Sequence, residues 1–143
     1  MKTKTKVVIV TLVLAIPALL LGRVIWPPDP VLPVPAGTQL PFFIFLAAVE
    51  AITFGLGVSF IIFGWPLLKR VPEEWQTKAR WSFIALSWML VSWWPHDNLH
   101  QHIGMDLQGL LYIEYGFHLT LIISSFILAY SLVSLLRKYS TAA

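Results

Sequence analysis

The chain has no cysteine. That excludes disulfides, thiolate metal sites and cysteine nucleophiles, and it leaves the redox compartment undetermined. Charge is scarce as well: 12% of the 143 residues are Asp, Glu, Lys or Arg, where an ordinary soluble domain carries about a quarter. A soluble globule needs a polar shell, and this composition does not supply one. There is no internal repeat, no low-complexity tract and no stretch with the composition of a separate soluble domain.

Hydrophobic residues make up 57% of the chain, and they are bunched into long runs. The runs cover about residues 7–26, 40–68, 79–98 and 108–136. A bilayer-spanning helix takes about 20 mostly apolar residues, so the first, second and fourth qualify outright. The third is short before Pro95 and reaches full length only by continuing into a histidine-rich run. The expected fold is therefore an all-α membrane protein, a single domain of four transmembrane helices in a bundle.

The net charge of +3 does not point to nucleic acid, because its distribution is that of a membrane protein. Lys2, Lys4, Lys6, Lys69, Arg70, Lys78, Arg80, Arg137 and Lys138 flank alternate span ends, and Arg23 alone lies elsewhere. This is the positive-inside pattern for a multi-pass protein with both termini in the cytoplasm, in a bacterial or archaeal cytoplasmic membrane. Lys2–Lys6 followed by an apolar stretch also has the outline of a signal peptide. The stretch is long for one, and Leu21-Gly22-Arg23 makes a poor cleavage site, so an uncleaved first span is expected.

Residues 26–41 hold a dense series of prolines, which blocks helix and strand pairing. An extended outer loop, strapped across the bundle mouth, is the expectation. In the second span Glu50, Gly57 and Gly64 lie seven apart, so a carboxylate and two glycines share a stripe that should face a neighbouring helix. Ser82, Ala85, Met89, Ser92 and His96 form a matching stripe in the third span. Pro72-Glu73-Glu74 reads as a helix start within a short connector.

All four histidines fall between positions 96 and 118. Ionisable groups at membrane depth are expensive and tend to be functional. Counting about 20 residues at 1.5 Å each outward from the basic anchors arrives near Glu50, His100 and His118, with His96 a turn deeper. His96/His100 and Glu114/His118 are both i,i+4 pairs, so each pair shares a helix face. Pro95 could weaken the first pairing by ending or kinking the helix before it.

Two histidines with Glu114 or Glu50 make a 2-His-1-carboxylate set, suited to a transition metal ion such as copper, zinc or iron. The run from His100 to Met105 adds His102 and a thioether, a mixture that tolerates both copper oxidation states, and Asp97 is a further, weaker candidate. Haem held between His118 and a third-span histidine ranks behind a bare ion. A proton or ion path ranks lower, because the inner half of the bundle offers only Ser, Thr and Tyr. A di-iron oxygenase would need more ligands than are present.

The competing explanation is an interfacial polar loop with Trp93 and Trp94 as an aromatic belt, which suits His102 and Asp106 best. Glu50 would then pair with Arg23 or hydrogen-bond to a histidine. Two functional readings follow. One is a metal-binding accessory subunit of a redox or transport complex. The other is a non-catalytic assembly or scaffold subunit whose His and Glu residues hydrogen-bond between helices. In both, the partners are membrane lipid and other membrane subunits or further copies of the chain.

Overall fold

The computed structural model describes residues 2–141. Four long helices occupy nearly all of them: α1 (Thr3–Ile25), α2 (Gln39–Leu68), α3 (Glu73–His102) and α4 (Leu107–Thr141). A single 3-10 turn, Ile103–Met105, joins α3 to α4, and the described residues contain no strand. Three helices are long and apolar enough to cross a membrane: Thr3–Ile25, Gln39–Leu68 and the Leu107–Lys138 part of α4. Helix α3 is not among them, since Glu73, Glu74, Lys78 and Arg80 occupy its first turns and a polar run its last.

The helix ends follow local chemistry. Pro72 precedes α3, where its missing N–H costs nothing, and Glu73 and Glu74 sit in the first turn, against the positive end of the helix dipole. Asp106 caps α4: its carboxylate accepts from the Gly109 N–H at 3.0 Å. Pro95 does not end α3, which runs unbroken to His102. The proline removes one backbone hydrogen bond, and packing on both sides keeps the helix together.

The helices lie as an antiparallel row rather than a closed ring. α1 packs on α2, α2 on α3 and α3 on α4; α1 barely reaches α3, and among the described residues α4 meets no helix other than α3. The buried layer is made of small residues. Ala15, Ala18 and Ala51 form its apolar centre, and Ser59 and Ser92 are fully buried. Large apolar side chains such as Leu20, Val24, Phe42, Phe126 and Tyr130 point outward. Small residues inside and bulky apolar ones outside is the arrangement that suits lipid, where close backbone approach supplies the attraction.

The glycine stripe faces α3, as its spacing implies. A β-carbon on Gly57 would lie 2.8 Å from the Leu90 side chain, and one on Gly64 would lie 2.7 Å from Phe83. On the other side of α2, Gly55 presses against the backbone carbonyl of Thr11. Beside it the Thr11 and Ser59 hydroxyls hydrogen-bond at 3.1 Å. The proline-rich segment is tied across the outer end: the Asp29 N–H donates to the Gln101 carbonyl at 2.9 Å, and the His102 ring donates to the Pro27 carbonyl at 2.6 Å.

Candidate metal centre

The short 3-10 turn folds α4 back along α3, so the last turns of α3 meet the first turns of α4. The interface is pinned further inward by a Trp88 indole N–H donating to Thr120 Oγ1 at 3.0 Å and by the stacked rings of Trp88 and Phe117. Because α3 continues through Pro95, His96 and His100 stay on one face, and that face is turned to α4. Glu114 and His118, one turn apart on α4, are turned back to it.

The result is a group of four: His96, His100, Glu114 and His118 each offer a donor atom, all within 4.8 Å of one another. Glu114 Oε1 lies 3.4 Å from His96 Nε2, 3.0 Å from His100 Nε2 and 3.1 Å from His118 Nδ1. His96 and Glu114 are buried, whereas the side chains of His100 and His118 are about half exposed on the flank of the pair. The ring of Phe117 covers His96 from below, with centroids 5.2 Å apart.

The polar bookkeeping of this group is incomplete. The Nε2 atoms of His96 and His100 are 3.1 Å apart and share one proton between them, and His118 Nδ1 donates to the Glu114 backbone carbonyl at 3.0 Å. Neither carboxylate oxygen of Glu114 receives a hydrogen bond. Three imidazole nitrogens crowd one oxygen without aiming an N–H at it. A buried carboxylate with no donor is strongly unfavourable unless a cation meets it.

Of the other candidates, Glu50 is level with the His96 turn along the bundle but on a different side of α3. Its carboxyl lies beside that of Asp97, on the α2 side of α3. The reason is rotational: Asp97 follows His96 by one residue, about 100° around the helix, and so faces α2 while His96 faces α4. Asp97 also accepts from Gln101 Nε2 at 2.9 Å. Both carboxyls line a cleft of about 290 Å³ between α1, α2 and α3, with Arg23, Trp94 and Asn98. Arg23 is not in ion-pair contact with Glu50; its guanidinium lies over the Phe43 ring, 5.2 Å from the centroid. His102 is committed to the proline-rich strap, and Met105 stands exposed on the 3-10 turn.

This second polar cluster escaped the sequence reading. The signal available was the i,i+4 spacing of Asp97 and Gln101, parallel to that of His96 and His100 but one residue on. No protein-family model, no curated protein and no solved structure matches the chain. The class of protein is thus defined by its own features: a membrane-like all-α protein carrying a His/Glu group at ligand distance.

Proposed function

We propose that this is a four-span membrane protein with both termini in the cytoplasm, which binds one transition metal ion through His96, His100, Glu114 and His118 near its outer face. The observation that carries the reading is the buried, donor-less Glu114 carboxylate ringed by three imidazole nitrogens. Four donors placed about 2.1 Å from a common centre sit about 3.4 Å apart along the edges of a tetrahedron. The Glu114 contacts of 3.0–3.4 Å approach that spacing with little movement. Loading requires His118 to release its hydrogen bond to the Glu114 carbonyl and the His96/His100 pair to give up its shared proton.

Three nitrogens and one oxygen, with no sulfur, suit zinc, iron(II) or copper(II) better than copper(I). All four protein donors are used, and the flank at His100 and His118 is the side from which an ion enters. In this reading α3 is the remaining span, its short apolar stretch completed by the histidine-bearing turns, with the basic residues 69–80 and 137–138 on the cytoplasmic side. In this reading the chain serves as an accessory subunit of a redox or transport complex in a prokaryotic cytoplasmic membrane.

The test is elemental analysis of purified protein after separate exposure to zinc, copper and iron(II) and removal of loosely held metal. Stoichiometric retention of one of them, lost in Glu114→Gln and His118→Ala while the helical content stays, supports the site. Protein that retains none of the three, or variants that retain as much as the parent, overturns it. The assembly reading then takes its place, favoured by the His96–His100 and His118–carbonyl hydrogen bonds, which already tie the group together without an ion.

A further inference from the structure

At the opposite end of the α3–α4 interface the two helices part around a cavity of about 450 Å³. That falls within the roughly 300–1,000 Å³ of ordinary small-molecule pockets. Its walls are chiefly apolar, with Val71, Ala79 and Leu135 among them, and two lysines, Lys78 and Lys138, line it as well. Both ammonium groups are held against the same indole: Lys138 Nζ is 4.5 Å and Lys78 Nζ 5.1 Å from the Trp75 ring centroid. Lys78 also lies 5.5 Å from the Tyr130 ring.

Contact with an aromatic face orients an ammonium without using up its N–H donors. Among the described residues the half-buried Lys78 meets these rings and no carboxylate or carbonyl oxygen. Lys138 has Glu74 at 4.0 Å, and that carboxylate already accepts from the Trp75 indole at 2.7 Å. Lys78 therefore meets no anion among the described residues, at the end of the molecule where Lys69, Arg70, Arg80 and Arg137 also gather. The cavity is chiefly apolar in its walls, and its charged lining is cationic beside the Ser82 and Ser131 hydroxyls, which is complementary to an amphiphile with a negative head.

We propose that this cavity is a binding site for a phospholipid with an anionic headgroup, the phosphate between Lys78 and Lys138 and the first part of an acyl chain against Val71, Ala79 and Leu135. Basic pockets between helices at the cytoplasmic leaflet select lipids in this way. The site rests on the membrane part of the proposed function and is independent of the metal centre. It would give this end of the α3–α4 pair a fixed lipid neighbour rather than an exchanging one.

The test is native mass spectrometry of the full-length protein in detergent, titrated with phosphatidylglycerol, with phosphatidylcholine, and with inorganic phosphate as competitor. A lysine near a membrane surface is worth about a fivefold change in anionic-lipid affinity, so phosphatidylglycerol should bind roughly twentyfold more tightly than phosphatidylcholine. Lys78→Gln and Lys138→Gln should each weaken it about fivefold, while Lys2→Gln, on a helix that does not touch α4, should leave it unchanged. Leu135→Trp, which fills the cavity without altering charge, should abolish retention, and inorganic phosphate should not compete. Equal binding of the two lipids, equal loss with Lys2→Gln, or displacement by phosphate overturns the site while leaving the membrane reading in place. Retention of neither lipid by a protein recovered in the soluble fraction overturns both.

Discussion

Glu114→Gln should change the stability of this protein with opposite sign in the absence and in the presence of metal. In the metal-free protein Glu114 is 6% exposed and both its oxygens lack a donor. Replacing the carboxylate by a neutral amide removes a buried charge that no donor meets and offers N–H donors to the facing imidazole nitrogens; leaving such a group unpaired costs about 1–3 kcal/mol. The metal-free variant should therefore be as stable as the parent or more so. With metal the order reverses. At free metal about 1,000 times the dissociation constant, binding adds about 4 kcal/mol to the parent. If the variant binds about a hundredfold more weakly, the same metal adds only about 1.4 kcal/mol, a deficit near 2.7 kcal/mol. For a chain of this size that corresponds to roughly 5–10 °C in Tm. The assay is thermal unfolding followed by circular dichroism in detergent, with chelator and with the ion that the elemental analysis selects. A parent protein whose Tm is the same with chelator and with metal would refute the reasoning, and so would a Glu114→Gln shift of the same sign and size in both.

Metal retention should fall on acidification, because protons compete for imidazoles that must be neutral to ligate; dialysis across a pH series with metal analysis checks this, and flat retention contradicts it. Gly57→Leu should cost about 1–3 kcal/mol or prevent folding through overpacking against Leu90 and Val91. Gly116→Leu should be tolerated, since nothing lies within 4 Å of a β-carbon there; equal effects in a thermal melt would mean that α2 and α3 do not pack as described. Reporters fused at either terminus should lie in the cytoplasm, and an impermeant label should reach cysteines placed in residues 27–38 from outside; an externally accessible C-terminus breaks the four-span arrangement.

Position along the bundle axis was legible in the sequence, and rotation about each helix only partly so. Counting from basic anchors set Glu50 level with His96, yet α3 stands between α2 and α4 and divides that level into two sites. The i,i+4 rule did specify rotation within a helix, which is why His96/His100 and Glu114/His118 meet as pairs. It cannot say which neighbour a face will see, and Asp97, one position along, went to the other side. The glycine stripe was legible because Gly57 and Gly64 have no other use in an apolar helix, whereas Gly55, on the α1 side, belongs to no such series. Pro95 was ambiguous for a physical reason: a proline interrupts an isolated helix, but one flanked by packed helices on both sides loses only a single backbone bond. The order of neighbours, a row and not a ring, leaves no trace in hydropathy.

Because α4, among the described residues, is held by one long helix alone, it behaves mechanically as a lever. Its hydrogen-bonded hold on the inner side of the site is from the Trp88 indole to Thr120 Oγ1, at 3.0 Å, and Glu114 lies about 9 Å further along the axis at 1.5 Å per residue. Pivoting about that contact by 5° would carry the carboxylate about 0.8 Å. Coordination tolerates only about 0.2 Å, equivalent to a tilt near one degree. An ion at the outer end would thus fix the angle of the whole helix, and anything that pushed on the free flank of α4 would be felt at the ion first.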